Sequence, residues 1–205
     1  MKKLLIPILF SVIILLQSSS CKKPKSDPIK PVYNKEFPNN TGTFWKYKIY
    51  DSIYNIVDTL TVIVGSDTKL NNGLETRIWE TKSWYHNTTD TDFVNSSAEG
   101  IKIYENRFST NFKKNYVFPL AVGKRWVGSF TGEVYTVSSK NLVVLIAGTF
   151  NDCFNIKRNW RFSSQQVKES EWFLPNLGLI KKSIDEIDLG YFNNQEWELY
   201  SYSIK

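Results

Sequence analysis

The chain's one imidazole, His86, sits in Trp84-Tyr85-His86-Asn87, far in sequence from both thiols, Cys21 and Cys153. A Ser- or Cys-based hydrolase needs a histidine beside a nucleophile and a carboxylate, and no Gly-x-Ser-x-Gly elbow is present to offer one. His86 therefore reads as an exposed turn residue. Cys153 follows Gly148-Thr149-Phe150 in a strand-like run, where a thiol packs as a small apolar group. No neighbouring base or helix start is evident to activate it. One His and two Cys also exclude zinc sites of the His/Cys type, a disulfide framework and c-type haem. The acidic groups Thr89-Asp90-Thr91-Asp92 and Asp185-Glu186-Ile187-Asp188 could offer oxygens to calcium. The about six to eight ligands that ion takes have no pattern here, so both groups read as solvated turns and no metal is expected. A Gly-rich phosphate loop and a dinucleotide fingerprint are missing too, and no cofactor is expected. No catalytic residue is assigned. A carboxylate pair acting on glycan or peptide depends on separation in space, so an envelope hydrolase of that kind stays open as the alternative.

Aromatic side chains are in excess, with seven Trp, eleven Tyr and thirteen Phe. Trp45, Trp79, Trp126, Trp160, Trp172 and Trp197 all fall in strand-like runs and are expected in the core. Trp84 and Tyr85 lie in a polar stretch instead. An exposed aromatic pair can stack on a sugar or grip a partner, so these two are the candidate binding residues.

The start of the chain carries an address. Lys2 and Lys3 precede a thirteen-residue apolar run, Leu4 to Leu16. As a helix that run reaches only about 20 Å, short of a bilayer's roughly 30 Å hydrocarbon core. With Ser18-Ser19-Ser20 behind it, residues 1–20 read as an export signal that is removed. Cys21 follows at once. The arrangement resembles a bacterial lipoprotein signal, which implies that Cys21 becomes an acylated N-terminus, carrying chains such as palmitate, that anchors the protein in a membrane. Ser18 departs from that pattern, since Leu is commonest three residues before the Cys. Ordinary signal peptidase could cut the same bond, and Cys21 could then pair with Cys153 in an oxidising compartment. The resemblance further implies that Lys22, in place of Asp, sorts the protein to the outer membrane. The lack of an acidic run after Cys21 argues for the periplasmic side.

The whole chain carries a formal charge of +6. Without residues 1–20 it has 24 basic and 20 acidic residues, or +4. Lys22, Lys23 and Lys25 supply three of those charges beside the anchor, an excess too small and too local for nucleic acid. Residues 21–36, with Pro24, Pro28 and Pro31 and few large apolar side chains, form an extended linker spanning up to about 45 Å at ~3.1 Å per residue.

From Phe37 the pattern changes to one β domain, residues 37–205. Phe37-Pro38-Asn39-Asn40-Thr41-Gly42-Thr43-Phe44-Trp45 and Phe118-Pro119-Leu120-Ala121-Val122-Gly123-Lys124-Arg125-Trp126 share Phe-Pro-x-x-x-Gly-x-x-Trp at an offset of 81 residues. Weaker matches follow: Leu74 to Trp79 with Cys153 to Lys157, Phe93 with Trp172, and Gly100 with Gly178. Pro ends one extended piece, Gly turns the chain, and Trp opens a strand on its buried face. Gly42, Trp45, Gly123 and Trp126 are thus structural candidates. Alternation supports strands throughout: Trp45, Tyr47 and Ile49 against Lys46 and Lys48, and Leu60, Val62 and Val64 against Thr59 and Thr61. Trp197 and Leu199 alternate with Glu196 and Glu198, then Tyr200, Tyr202 and Ile204 switch face, as at a bulge or in a strand covered on both sides. Leu142-Val143-Val144-Leu145-Ile146, continuously apolar, reads as a central strand. The fold class is all-β: a curved antiparallel meander, half-barrel or barrel of about eleven strands, built from two similar halves, about 37–117 and 118–205.

Residues 118–182 resemble a family of uncharacterised β lipoproteins and periplasmic proteins of Gram-negative bacteria. The segments that carry this are Phe118 to Trp126, Gly148-Thr149-Phe150-Asn151-Asp152-Cys153, and Trp172-Phe173-Leu174-Pro175-Asn176-Leu177-Gly178-Leu179-Ile180-Lys181. Residues 37–105 match more loosely. The general shape is similar by analogy to the half-barrels of lipoprotein carriers, which hold acyl chains in a concave face, and fold alone assigns no function. The expectation is a non-enzymatic, lipid-anchored envelope protein with a binding or maintenance role and no cofactor. Its partners would be the membrane and either a hydrophobic ligand or another envelope protein, docked at an edge strand.

Overall fold

The computed structural model describes residues 37–205 apart from 53–54, 130–131, 163–164 and 189–190. The signal segment, Cys21 and the linker through residue 36 lie outside the described residues. The strands are β1 (Phe44–Asp51), β2 (Ile56–Lys69), β3 (Glu75–Ser83), β4 (Thr88–Ser97), β5 (Gly100–Tyr104), β6 (Lys114–Val117), β7 (Arg125–Val127), β8 (Val134–Leu145), β9 (Gly148–Phe162), β10 (Gln165–Leu174), β11 (Gly178–Asp188) and β12 (Tyr191–Ser203). All twelve join one antiparallel sheet, in the order β6-β5-β4-β3-β2-β1-β12-β11-β10-β9-β8-β7, which curls into a nearly closed barrel. The count exceeds the expected eleven by one, and the three-residue β7 is too short to show as an alternating run.

The order contains two six-stranded meanders, β1–β6 and β7–β12, that meet where β1 pairs with β12. At the opposite side β6 and β7 face each other without a ladder among the described residues. Trp126 Nε1 donates to Asn115 O at 3.2 Å and Ser129 Oγ to Lys113 O at 3.2 Å, so side chains bridge that seam.

Alternation puts Trp45, Tyr47 and Ile49 inside and Lys48 outside, and the register with β2 places Leu60 and Val62 beside them. On β12 the change of face is a bulge: Lys46 pairs with Ser201 and Tyr47 with Leu199, leaving Tyr200 between them. The apolar run 142–146 is not a central strand. It ends β8 beside the turn into β9, and Leu142, Val144 and Ile146 are 60, 67 and 76% exposed. The reason is length. β7 pairs only with Val134 to Thr136, so the rest of β8 has a strand on one flank only.

Gly42 and Gly123 take φ of 86° and 87°, in the left-handed region that favours glycine. Their hydrogen bonds match as well. Gly42 N donates to Val64 O and Thr43 N to Asn40 O; Gly123 N donates to Val137 O and Lys124 N to Ala121 O. Each turn delivers a tryptophan inward, Trp45 at 2% and Trp126 at 8% exposure. Phe37, from the segment before β1, stacks on Trp45 at 6.4 Å, Trp79 at 5.9 Å and Phe173 at 6.1 Å, so its ring plugs the interior between β1, β3 and β10. A smaller cluster, Leu70, Phe93 and Tyr104, packs separately.

Alanine at Gly42 or Gly123 must hold a left-handed backbone, at a cost of roughly 1–2 kcal/mol. Trp45→Ala or Trp126→Ala should cost about 3–5 kcal/mol, and Trp84→Ala, at an exposed turn, about 0.5 kcal/mol or less. Urea unfolding followed by circular dichroism checks all five variants. Unchanged midpoints for both glycine variants would contradict the strained-corner reading.

Candidate functional site

The inner side of the barrel lines a cavity of about 730 Å³, open to solvent, with two unlike walls. Tyr47, Leu60, Val62 and Trp79 come from β1, β2 and β3, with Leu179 and Trp197 from β11 and β12, and they form an apolar wall. Lys114, Arg158, Glu169, Glu171 and Lys182 project from β6, β9, β10 and β11 and form a charged one. Phe37, Trp45 and Phe173 close the space between them. On β10 the inward row runs Val167, Glu169, Glu171, Phe173, so two carboxylates occupy positions where the pleat calls for core residues.

Burying those charges requires partners. Lys114 Nζ lies 2.9 Å from Glu169 Oε1 and also contacts Glu171 Oε1, whose other oxygen accepts from Tyr116 OH at 2.9 Å. Arg158 bridges Glu133, at 2.8 Å, and Glu169, while Tyr135 OH donates to Glu133 at 3.1 Å. Lys182 stands apart. Its ammonium is 3.8 Å from Glu169 Oε1 and 4.8 Å above the Trp197 ring. Burial by itself would raise the Glu169 carboxyl, but Lys114, Lys182 and Arg158 together hold it well below the usual carboxylate range. Glu171 moves the other way, raised by burial and by the charge of Glu169 against the pull of Lys114. Burial would also lower Lys114, yet Glu169 and Glu171 lift it well above an ordinary lysine. Lys182 is lowered, because burial outweighs the attraction of Glu169.

Of the residues singled out from sequence, Trp45 lines the cavity and donates its Nε1 to Leu177 O at 2.6 Å. Trp126 stacks on Tyr135 at 5.3 Å and 5°. Trp84 and Tyr85 sit at the β3–β4 turn, 78 and 52% exposed, and are not part of the cavity wall. Asp58 organises that turn, accepting from Ser83 Oγ at 2.6 Å and from the Tyr85 and Thr59 amides. These bonds hold its carboxyl below the usual value, although burial pushes it up. His86 is in the same turn, edge-on to Tyr85 at 5.1 Å. Cys153 is a free, fully buried thiol, pushed up to about 11 by burial and by Asp152. Asp90 and Asp92 belong to strand β4 rather than to a turn, and both face the cavity; Asp92 pairs with Lys113 at 2.5 Å. Asp185 to Asp188 continue β11.

The charged wall was not anticipated from sequence. One signal existed: Glu169 and Glu171 share parity with Val167 and Phe173. Trp172 and the acids themselves point to the opposite assignment, since an aromatic is normally placed inside and a carboxylate outside.

A protein of Bacteroides fragilis, described as exported and as having a YmcC-like fold, superposes with a TM-score of 0.51. The identity is 15%, over 82% of this chain and 98% of that one. A protein of Parabacteroides distasonis described as a lipoprotein gives a TM-score of 0.47 at 17% identity over the same shares. At 15% identity the likeness to the Bacteroides fragilis protein is one of fold. No family model matches the chain, and no curated protein matches it.

Removing one partner of a buried network strands the rest, so Lys114→Met should cost about 3–5 kcal/mol. The sign of the pH response follows from the two glutamates. Glu169 is depressed in the fold, so its stabilisation is complete above its unfolded value of about 4.3 and is lost as pH falls through the acidic range. Glu171 is raised and acts oppositely, its contribution present below about 4.3 and lost as pH rises through its folded value. The destabilisation caused by Glu169→Gln should therefore shrink from pH 7 to pH 3, and that caused by Glu171→Gln should not. Guanidinium unfolding at both pH values measures each difference.

Proposed function

We propose that this chain is a lipid-anchored protein of the bacterial envelope, held at the outer membrane on its periplasmic side, that binds an amphipathic molecule inside its barrel without chemically changing it. The observation that carries the binding role is the cavity: about 730 Å³, apolar on one side and charged on the other. That volume lies in the range of small-molecule sites, roughly 300–1,000 Å³, and the split lining suits a ligand with an apolar chain and a polar end. The envelope location is supported by the signal-like residues 1–20 followed by Cys21. The neighbour of like fold that is described as exported agrees with it.

The non-catalytic reading is preferred to a carboxylate hydrolase for one reason. Glu169 and Glu171, whose acidities are driven apart, are each already engaged by Lys114, and Arg158 and Tyr116 hold their remaining oxygens. A group so bound supports the wall more readily than it moves protons.

Two measurements test this. Intact mass of the membrane-extracted protein should exceed residues 21–205 by a diacylglycerol and an acyl chain on Cys21; an unmodified mass in a soluble fraction overturns the anchor. Organic extraction of the purified full-length protein should release a chain-bearing compound in stoichiometric amount. Val62→Trp, which fills the apolar side, should lower that amount severalfold while the far-ultraviolet spectrum stays unchanged.

A further inference from the structure

If the barrel holds an amphiphile, the buried groups around its cavity decide what the polar end must be. The buried carboxylates are supplied with donors, Glu169 by Lys114 and Arg158 and Glu171 by Lys114 and Tyr116; Asp92 pairs with Lys113, and two further carboxylates of the lining, Asp90 and Glu105, are exposed. The donors are not all supplied with acceptors. Trp197 Nε1 and Arg158 Nε are buried without a hydrogen-bond partner, and both residues line the cavity. The Lys182 ammonium, at 3.8 Å from Glu169 Oε1, is beyond hydrogen-bond length of the anion nearest to it. Two other buried atoms lacking partners, Asn115 Oδ1 and Asn193 Oδ1, are acceptors, and neither residue belongs to the lining. The buried atoms of the lining that lack a partner are therefore donors, and an unmade buried hydrogen bond is costly enough to create affinity for a group that reaches and makes it.

Lys182 and Trp197 are also neighbours, directly paired across β11 and β12, with the ammonium 4.8 Å above the indole ring. Both side chains line the cavity together with Leu60, Val62 and Trp79, and because Trp197 Nε1 is itself buried, an entering group meets the Lys182 ammonium first. Resting on the binding role given above, we propose that Lys182 and Trp197 receive the anionic head, a carboxylate or a phosphate, of a single-chain amphiphile whose apolar chain lies along Leu60 and Val62. Burial disfavours the charged form of Lys182, and an anion beside it favours that form. Glu169 fixes the geometry of the head site without filling it. Its oxygens are occupied by Lys114 and Arg158, and Lys182 is left over.

The test uses full-length protein purified in a maltoside detergent and a sixteen-carbon carboxylic acid bearing a diazirine on its chain. Photolabelling should map to peptides of β2 and β12. Unlabelled palmitate or hexadecyl phosphate should compete, the stronger of the two identifying the head group. Hexadecanol and hexadecyltrimethylammonium should need about ten- to a hundredfold more for the same loss, the ratio expected of one or two charge-assisted hydrogen bonds. Lys182→Met should erase that difference between acid and alcohol, Lys182→Arg should keep it, and Trp197→Phe, which retains the ring and loses the N–H, should narrow it severalfold. Equal competition by the alcohol or the ammonium, or a wild-type preference in Lys182→Met, overturns the head-group assignment while the binding role stands. No barrel labelling by any chain overturns the binding role itself.

Discussion

The antiparallel pairing of β1 with β12 joins the first strand of the domain to the last, and the interior exists only because of it. Each six-stranded meander can form from neighbouring hairpins, but alone it is an open sheet with one apolar face in water. The register of the β1–β12 ladder sets Trp45 opposite Tyr202 and Ile49 opposite Trp197. The bulge at Tyr200 shifts the register so that Tyr202, 41% exposed near the end of β12, lies opposite Trp45. Trp45 and Tyr47 extend the link by donating past β12 to the carbonyls of Leu177 and Leu179. The opposite seam, between β6 and β7, shows side-chain bridges and no ladder among the described residues. The barrel is therefore strong on one side and weak on the other, and its defining contact spans almost the whole sequence of the domain. Such pairing pays loop-closure entropy before it is rewarded, which places the fold among slow, nonlocal topologies.

The pairing also decides what faces what. It brings the apolar inner rows of β1 and β2 across from the inner row of β10, where Glu169 and Glu171 stand between Val167 and Phe173. A core optimised for stability alone would carry aliphatic residues there, because replacing a buried ion network by packed hydrophobic groups is often neutral or stabilising. Lys114 and Arg158 offset much of the desolvation, each reaching two carboxylates. Lys182 is the residue that stability does not explain. Its charge is disfavoured by burial and its nearest carboxylate already has two closer cations. Local departures from the stabilising choice are characteristic of binding sites.

How far the sequence discloses this depends on which rule each segment obeys. β1 obeys period two with basic residues outside, and its face is legible without a structure. So are the turns at Gly42 and Gly123, since few backbones other than a left-handed one ask for glycine at that spacing before a strand-opening tryptophan. The run 142–146 misleads because apolar continuity is a property of side chains, whereas centrality depends on the length of a neighbouring strand, and β7 is too short to cover it. The site was hidden for the reverse reason. Lys114, Arg158, Glu169, Glu171 and Lys182 look like the solvated face of their strands, and only the closure of the sheet shows that they share one interior. For Trp84 and Tyr85 the polar stretch leaves both exposure and core packing open; they are exposed, at a hairpin turn organised by Asp58 and away from the cavity.

The closure bears, finally, on the hydrolytic alternative. A general acid needs a proton that it can deliver to a leaving group and a path by which a substrate oxygen comes within about 3 Å of it. Glu171 meets the first requirement in part, since burial and the charge of Glu169 raise its pKa. It meets the second poorly. One oxygen lies against Lys114 and the other accepts from Tyr116, so a substrate would have to displace a buried lysine or a buried phenol to reach either. Glu169, as the paired base, is still more enclosed, with three cations around it. Lys182 and Trp197, by contrast, both line the cavity, and the Lys182 ammonium lies 3.8 Å from its nearest carboxylate oxygen. Chemistry at the carboxylates would have to dismantle the wall, whereas the proposed binding at Lys182 would leave it in place.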